Sequence, residues 1–127
     1  MPNRISNVPA HKNPKYSTPP GNPTTDKIFL LSVVAAQTYF ATDADRKADV
    51  TRYAVKKGAY VEGSETGDVS SNSTCSDVHC ISRWWLRSPG LKRIYPARVY
   101  IDGSIDDYGD YVLAAHIAVR PALLMNL

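Results

Sequence analysis

The chain has 127 residues, 43% of them hydrophobic, which suits one domain with a single modest core and excludes wholesale disorder. Net charge is +3, but residues 1–60 hold nine basic and four acidic residues while 61–127 hold six and eight. Positive charge therefore thins out toward the C-terminal third, and no nucleic-acid partner is expected. No run approaches the roughly 18 apolar residues that span a bilayer, and no apolar stretch follows Met1 to Arg4, so neither a membrane span nor a secretory leader is expected.

Residues 1–25 hold six of the nine prolines. Proline fixes φ and removes an amide donor, so this segment is expected to be extended or disordered, with the domain proper over 26–127. Lys27 to Leu31 has the length and apolarity of a buried strand. Ser32 can cap a short helix from Val33 to Phe40, with Val33, Ala36 and Phe40 on one face. A second helix or helical turn is expected over Asp45 to Lys57, with Thr51 as a cap and Gly58 as its stop.

Residues 61–82 form a long polar loop, of a length that is usually functional or disordered. It contains the glycosylation-type triplet Asn72-Ser73-Thr74. It also contains Cys75 and Cys80, which can pair locally or stay free thiols and do not fix a compartment. Beyond it the texture changes to short strands. Trp84 to Arg87 is strand-like, and Ser88-Pro89-Gly90 turns the chain. Ala97, Val99 and Ile101 alternate with Arg98 and Tyr100, as in a strand with one buried face. Asp102-Gly103 makes a tight turn, Ile105 begins the return and Gly109 turns again. A last run, Ile117 to Leu127, is expected to end the protein in apolar sheet.

The series Trp84-Trp85-Leu86-Arg87-Ser88-Pro89-Gly90, Ala97-x-Val99, Asp102-Gly103, Gly109 and Val119-Arg120-Pro121-Ala122-Leu123 resembles a large family of uncharacterised bacterial domains. The upstream pieces Asp26 to Ser32, Tyr39-Phe40, Thr51-x-Tyr53-Ala54 and Gly58-Ala59-Tyr60 fit the same pattern, so the resemblance covers roughly residues 12–127. Ala118 stands where that family usually has Gly, and the strands that usually precede this region are expected to be missing. The family in turn resembles the C-type-lectin fold, including the formylglycine-generating branch and the variable proteins of diversity-generating retroelements. The resemblance implies an α+β domain with short antiparallel strands and two small helices. It also implies a candidate variable, or display, region at residues 91–117.

In such variable proteins an asparagine AAC codon can become many residue types, but never Lys, Glu, Gln, Met or Trp. Between Leu91 and Ile117 there is no Glu, Gln, Met or Trp, and one Lys, Lys92. The positions expected to face a ligand are Arg93, Ile94, Tyr95, Arg98, Tyr100, Asp106, Asp107, Tyr108, Asp110, Tyr111, Leu113, His116 and Ile117. Ile94, Leu113 and Ile117 break the polar pattern of a plain solvent face. The tyrosines offer large contact area at small entropy cost, as in antibody loops.

Other candidates have plainer explanations. Trp84 and Trp85 read as core packing rather than as sugar-stacking platforms. Arg87 and Arg120 read as paired structural arginines rather than as grips for an anion. Asp102, Asp106, Asp107 and Asp110 lack the spacing and the terminal Glu of a calcium loop. Cys75, His79 and Cys80 lack a fourth ligand for zinc. His116 has no assigned Ser or Cys partner. The cysteines on which the formylglycine-generating branch depends have no counterpart here, because Cys75 and Cys80 precede the tryptophan pair. No metal, cofactor or enzyme activity is expected. The expected partner is a protein or other macromolecule. The alternative is a structural or assembly module that pairs through an open sheet edge, with a homo-oligomer as one form of it. The cellular address stays open, with a cell surface or phage particle among the options.

Overall fold

The computed structural model describes residues 6–61 and 81–125. The Asn72 triplet, Cys75, His79, Cys80 and nearly all of the polar loop lie outside the described residues.

Within them the chain is of mixed α+β class. Strands β1 (Ser6–Val8) and β2 (Thr24–Asp26) pair antiparallel. They are followed by helices α1 (Val33–Tyr39) and α2 (Asp43–Arg46), strand β3 (Ala48–Asp49) and helix α3 (Arg52–Lys56). Strand β4 (Ile81–Ser82) pairs with β3. Strands β5 (Trp84–Pro89), β6 (Pro96–Val99) and β7 (Ile105–Asp106) form a three-stranded antiparallel sheet in that order. None of the described helices is long and apolar enough to cross a membrane.

Local chemistry explains each helix start. Ser32 accepts the Ala35 amide at 3.0 Å, and Ser88 of β5 accepts the Val33 amide at 2.9 Å. Two of the orphan donors at the start of α1 are thus satisfied, one of them by the sheet. Thr42 and Asp45 form a reciprocal capping box on α2. Thr51 accepts the Ala54 amide at 3.1 Å, and α3 ends at Gly58, whose φ is +98°.

Three expectations need correction. The helix expected over Asp45 to Lys57 is two helices, because Ala48 and Asp49 leave the helical path to pair with Ser82 and Ile81. The described helices therefore number three rather than two. Among the described residues, the strand expected over Lys27 to Leu31 and the final apolar sheet meet at one isolated bridge, Phe29 to Ala122. Pro121 offers no amide hydrogen, so a ladder cannot extend through it. Finally, the proline-rich segment is built into the fold over residues 6–25: Val8 and Asn13 are buried.

The core comprises Leu31, Val33 and Ala36 from the α1 side and Trp84, Leu86, Ala97 and Val99 from the sheet. Alternation along β5 puts Trp84, Leu86 and Ser88 inside, with Trp85 and Arg87 half-buried on the other face. Trp84 is only 1% exposed, and its indole N–H donates to the Arg46 carbonyl at 3.0 Å. Phe40 meets it edge-on at 6.5 Å, and the Arg120 guanidinium lies 4.6 Å from the Phe40 ring and 4.9 Å from the Trp84 ring. Trp84 is core, as its motif position suggests, whereas Arg120 is held by rings and by the Arg46 carbonyl, at 3.3 Å, rather than by a paired carboxylate. Arg46 is itself buried: its Nε donates to Gly103, its Nη1 to Phe40, and its Nη2 pairs with Asp43. Gly103 has φ +85°, and a Cβ there would collide with the Asp43 carbonyl, so only glycine serves this turn.

Candidate binding surface

The sheet positions a surface built from three pieces of chain: the loop 13–20, the turn 90–95 and the segment 106–116. The turn closes as Gly90 N–H donates to the Tyr95 carbonyl at 2.6 Å and Tyr95 N–H to Lys92 at 3.0 Å. The second segment is laid against it by Leu91 N–H to Tyr108 O, Asp110 N–H to Pro96 O and Val112 N–H to Ile94 O, at 2.8, 3.2 and 2.9 Å. Gly90 and Gly109 sit where these backbones touch. A Cβ on Gly90 would overlap the Tyr95 and Tyr108 carbonyls, and one on Gly109 would overlap those of Tyr95 and Pro96.

Beneath the surface lies a buried ionic clamp. Arg98 Nε donates to Asp106 Oδ2 at 2.9 Å, and its Nη1 to Asp110 Oδ2 at 2.5 Å. Asp106 Oδ1 accepts the amides of Tyr108 and Gly109, and Asp110 Oδ1 accepts that of Tyr111. Each carboxylate thus holds the guanidinium with one oxygen and folds the loop with the other. Burial opposes the charge on Arg98, yet its hydrogen bonds to Asp106 and Tyr100 and the nearby carboxylates outweigh this and raise its pKa.

The loop 13–20 is fastened from the other side by Asn13, which is fully buried. Its Nδ2 donates to the Pro89 and Asp107 carbonyls, both at 2.9 Å. Its Oδ1 accepts the Lys15 and Tyr16 amides at 2.8 Å. All the hydrogen-bonding capacity of the amide is used. Thr18 adds bonds to Gly90 and Leu91, and Arg93 donates to the Pro19 and Pro20 carbonyls.

What this frame presents is aromatic and aliphatic. Tyr95 lies 6.2 Å from Tyr108 and 6.1 Å from Tyr111, and Tyr16 meets Tyr108 edge-on at 6.3 Å. Tyr108 and Tyr111 are about half exposed, as are Ile94 and Val112, and Leu113 is 75% exposed.

The thirteen expected positions separate accordingly. Arg93, Ile94, Tyr108, Tyr111 and Leu113 are exposed, and Tyr95, Asp107, Asp110 and His116 are half-buried beside them. Arg98, Asp106 and Ile117 are buried at 8%, 8% and 6% exposure and are not available to a ligand. The reason is that segment 106–111 folds over the outer face of β6, so both faces of that strand are covered. Tyr100 belongs to a different stack, between the guanidinium groups of Arg83 and Arg98. His116 Nε2 stands 3.8 Å from Asp110. Of the carboxylates that suggested calcium, Asp106 and Asp110 are engaged by Arg98 and by turn amides and Asp102 by Ser104, and the described residues contain no group of three or more His, Cys, Asp or Glu that could hold a metal. Sequence inspection missed Asn13, Tyr16, Thr18 and Val112. The Asn13-Pro14 pair is a turn signal that could have drawn attention to the first of these.

Two outcomes are expected. Asn13→Ala strips partners from two buried carbonyls and two amides, and should cost about 2–4 kcal/mol in chemical denaturation. Asn13→Asp should be no better, since a carboxylate would face the same two carbonyl oxygens. The second concerns Asp107, whose Oδ1 is buried without a hydrogen-bond partner among the described residues. Burial pushes its pKa up, against the opposing pull of Lys15 and with help from Asp106. A raised carboxyl pKa means that the charged form is disfavoured by folding. The penalty is therefore present above the folded pKa and disappears as pH falls below the ordinary carboxylate value. Asp107→Asn should gain stability relative to the parent near pH 7, and the gain should vanish in denaturation curves taken near pH 3.

Residues 2–127 match the family described as a domain of unknown function (DUF6273). No curated protein and no solved structure matches the chain. Because the family match runs from residue 2 to residue 127, the chain belongs to the DUF6273 family.

Proposed function

We propose that this chain is a non-catalytic binding domain that docks a macromolecular partner, most simply a protein, on the surface around Tyr95, Tyr108 and Tyr111. The observation that carries the reading is the contrast between the layers. Below the surface Arg98, Asp106, Asp110 and Asn13 are bonded to one another or to the backbone, whereas Ile94, Tyr108, Tyr111, Val112 and Leu113 are exposed above them. Exposed aromatic and aliphatic groups on a fixed backbone lose little entropy when a partner covers them. Contiguous apolar patches of this kind mark interaction sites on soluble domains. Of the ionisable groups around the surface, Arg98, Asp106 and Asp110 are tied to one another, which suits a supporting role better than catalysis.

The finer reading is that the domain has a C-type-lectin fold and displays a diversified surface, as retroelement variable proteins do. Two features support it: the scaffold motifs Trp84 to Gly90 and Val119 to Leu123 flank the display segment, and its exposed positions other than Lys92 are all types reachable from an AAC codon. Deep sequencing of the flanking DNA tests the diversified part. A near-copy of the 3′ end differing at adenines, beside a reverse transcriptase gene, supports it; an invariant 3′ end on a plain locus sinks it.

Binding itself is tested by placing a photo-crosslinker at position 113 to capture the partner in the native host. Affinity for that partner is then measured with Tyr108→Ala and Tyr111→Ala. Each should weaken binding about tenfold or more, with a stability change within about 0.5 kcal/mol. Unchanged affinity in both variants would remove the tyrosine surface from the binding site.

A further inference from the structure

The two motif arginines have different fates. Neither has a salt bridge among the described residues, but Arg120 lies over Phe40 and Trp84 and donates to the Arg46 carbonyl at 3.3 Å. The Arg87 backbone N–H holds the Leu31 carbonyl at 2.9 Å, and its guanidinium reaches only the Thr24 hydroxyl, at 3.4 Å. At that distance the bond is weak, and most of the five donors stay free for a ligand. Reading Arg87 as a paired structural arginine therefore needs correction.

Arg87 lines a cavity of about 270 Å³ between β5 and the β1–β2 hairpin, which borders the loop 13–20 at Pro20 but is lined by none of the tyrosines. The same cavity is lined by Thr24 and Asp26, and its apolar side by Phe29 and Leu30. Thr24 Oγ1 donates to Asp26 Oδ2 at 2.5 Å, so the hydroxyl stands between the guanidinium and the carboxylate. The two charges do not form an ion pair with each other. They are neighbours of opposite sign across one hydroxyl, open to a cavity with room for a small molecule.

This arrangement fits a ligand that carries both charges on groups attached to one carbon. A multiply charged anion such as phosphate suits it poorly, because Asp26 would repel it. A simple carboxylate would leave Asp26 unused. We propose that the cavity binds a small α-amino acid, its carboxylate on Arg87, its ammonium on Asp26 and an aliphatic side chain against Phe29 and Leu30. Charge-assisted hydrogen bonds from a planar guanidinium suit the carboxylate, and the half-buried apolar side adds affinity for the side chain.

The test is a set of ¹⁵N NMR titrations of the full chain with leucine, 4-methylpentanoate, isoamylamine and inorganic phosphate. The two organic single-charge probes are leucine without its amine and leucine without its carboxylate. Leucine should shift the amides of Thr24 to Asp26 and of Arg87 saturably, and each single-charge probe should bind about tenfold or more weakly. Arg87→Gln should weaken leucine by a similar factor, and Asp26→Asn should erase the preference for leucine over 4-methylpentanoate. The amide dispersion of each variant reports whether it is folded. The proposal is overturned if leucine shifts none of these amides, if phosphate or 4-methylpentanoate binds as well as leucine, or if folded Arg87→Gln binds leucine as the parent does.

Discussion

A buried cation organises the C-terminal sheet of this molecule and the surface above it. The Arg98 guanidinium has been taken from water and is held by Asp106 and Asp110, and the loop between them is folded by the oxygens the guanidinium leaves free. Removing one partner of such a pair strands an uncompensated charge and typically costs about 3–5 kcal/mol. The same arithmetic does not make the clamp a large net source of stability, because desolvation offsets much of the attraction. What it supplies is definition, since Tyr108 and Tyr111 have few alternative places to go while both carboxylates are engaged. Arginine suits this role because it keeps its charge at any working pH, and its planar fork meets two acceptors at once.

The clamp works only because other parts of the chain hold β6 and its neighbours still. On the core side, Trp84 gives its indole N–H to Arg46, while Arg46 fixes the Gly103 turn and Arg120 stacks on Trp84 and Phe40. On the outer side, Asn13 joins the proline-rich loop to the end of β5 and to the display segment. The tyrosine surface is thus supported from the core below and from the loop 13–20 beside it. Apart from Arg93, which holds the loop 13–20, its exposed side chains carry no hydrogen bond of the frame and can change while the frame stays. That separation is what a binding domain with adaptable specificity requires.

Features that rest on neighbours in sequence were legible without the structure. Ser32 and Thr51 announce their helices because a cap acts within three residues, and Asp102-Gly103 announces its turn for the same reason. The strand over Trp84 to Arg87 was legible too, but Ser88, expected in a turn, continues β5 and faces inward to accept the Val33 amide. What was hidden depends on distant partners. Asn13 is satisfied by residues 76 and 94 positions away, and nothing local to it indicates burial. The break between α2 and α3 follows from pairing with residues 81 and 82. Arg98 and Asp106 looked solvent-facing because a strand pattern gives two faces but not what covers the second. Ile117 sat in the display list although its apolar side chain already pointed to the interior.

The account rests on the tyrosine surface being fixed in the free protein rather than formed on contact with a partner. Amide hydrogen exchange of the free chain, followed residue by residue, tests this directly. The telling amides are those of Leu91, Asp110 and Val112, which bind Tyr108, Pro96 and Ile94 across the surface. The account predicts that they exchange within about tenfold of the amides in the β5–β6 ladder, as one cooperative unit with the sheet. Exchange as fast as that of the exposed Lys92 amide, with the ladder still protected, would show a loop that orders only on binding and would contradict it.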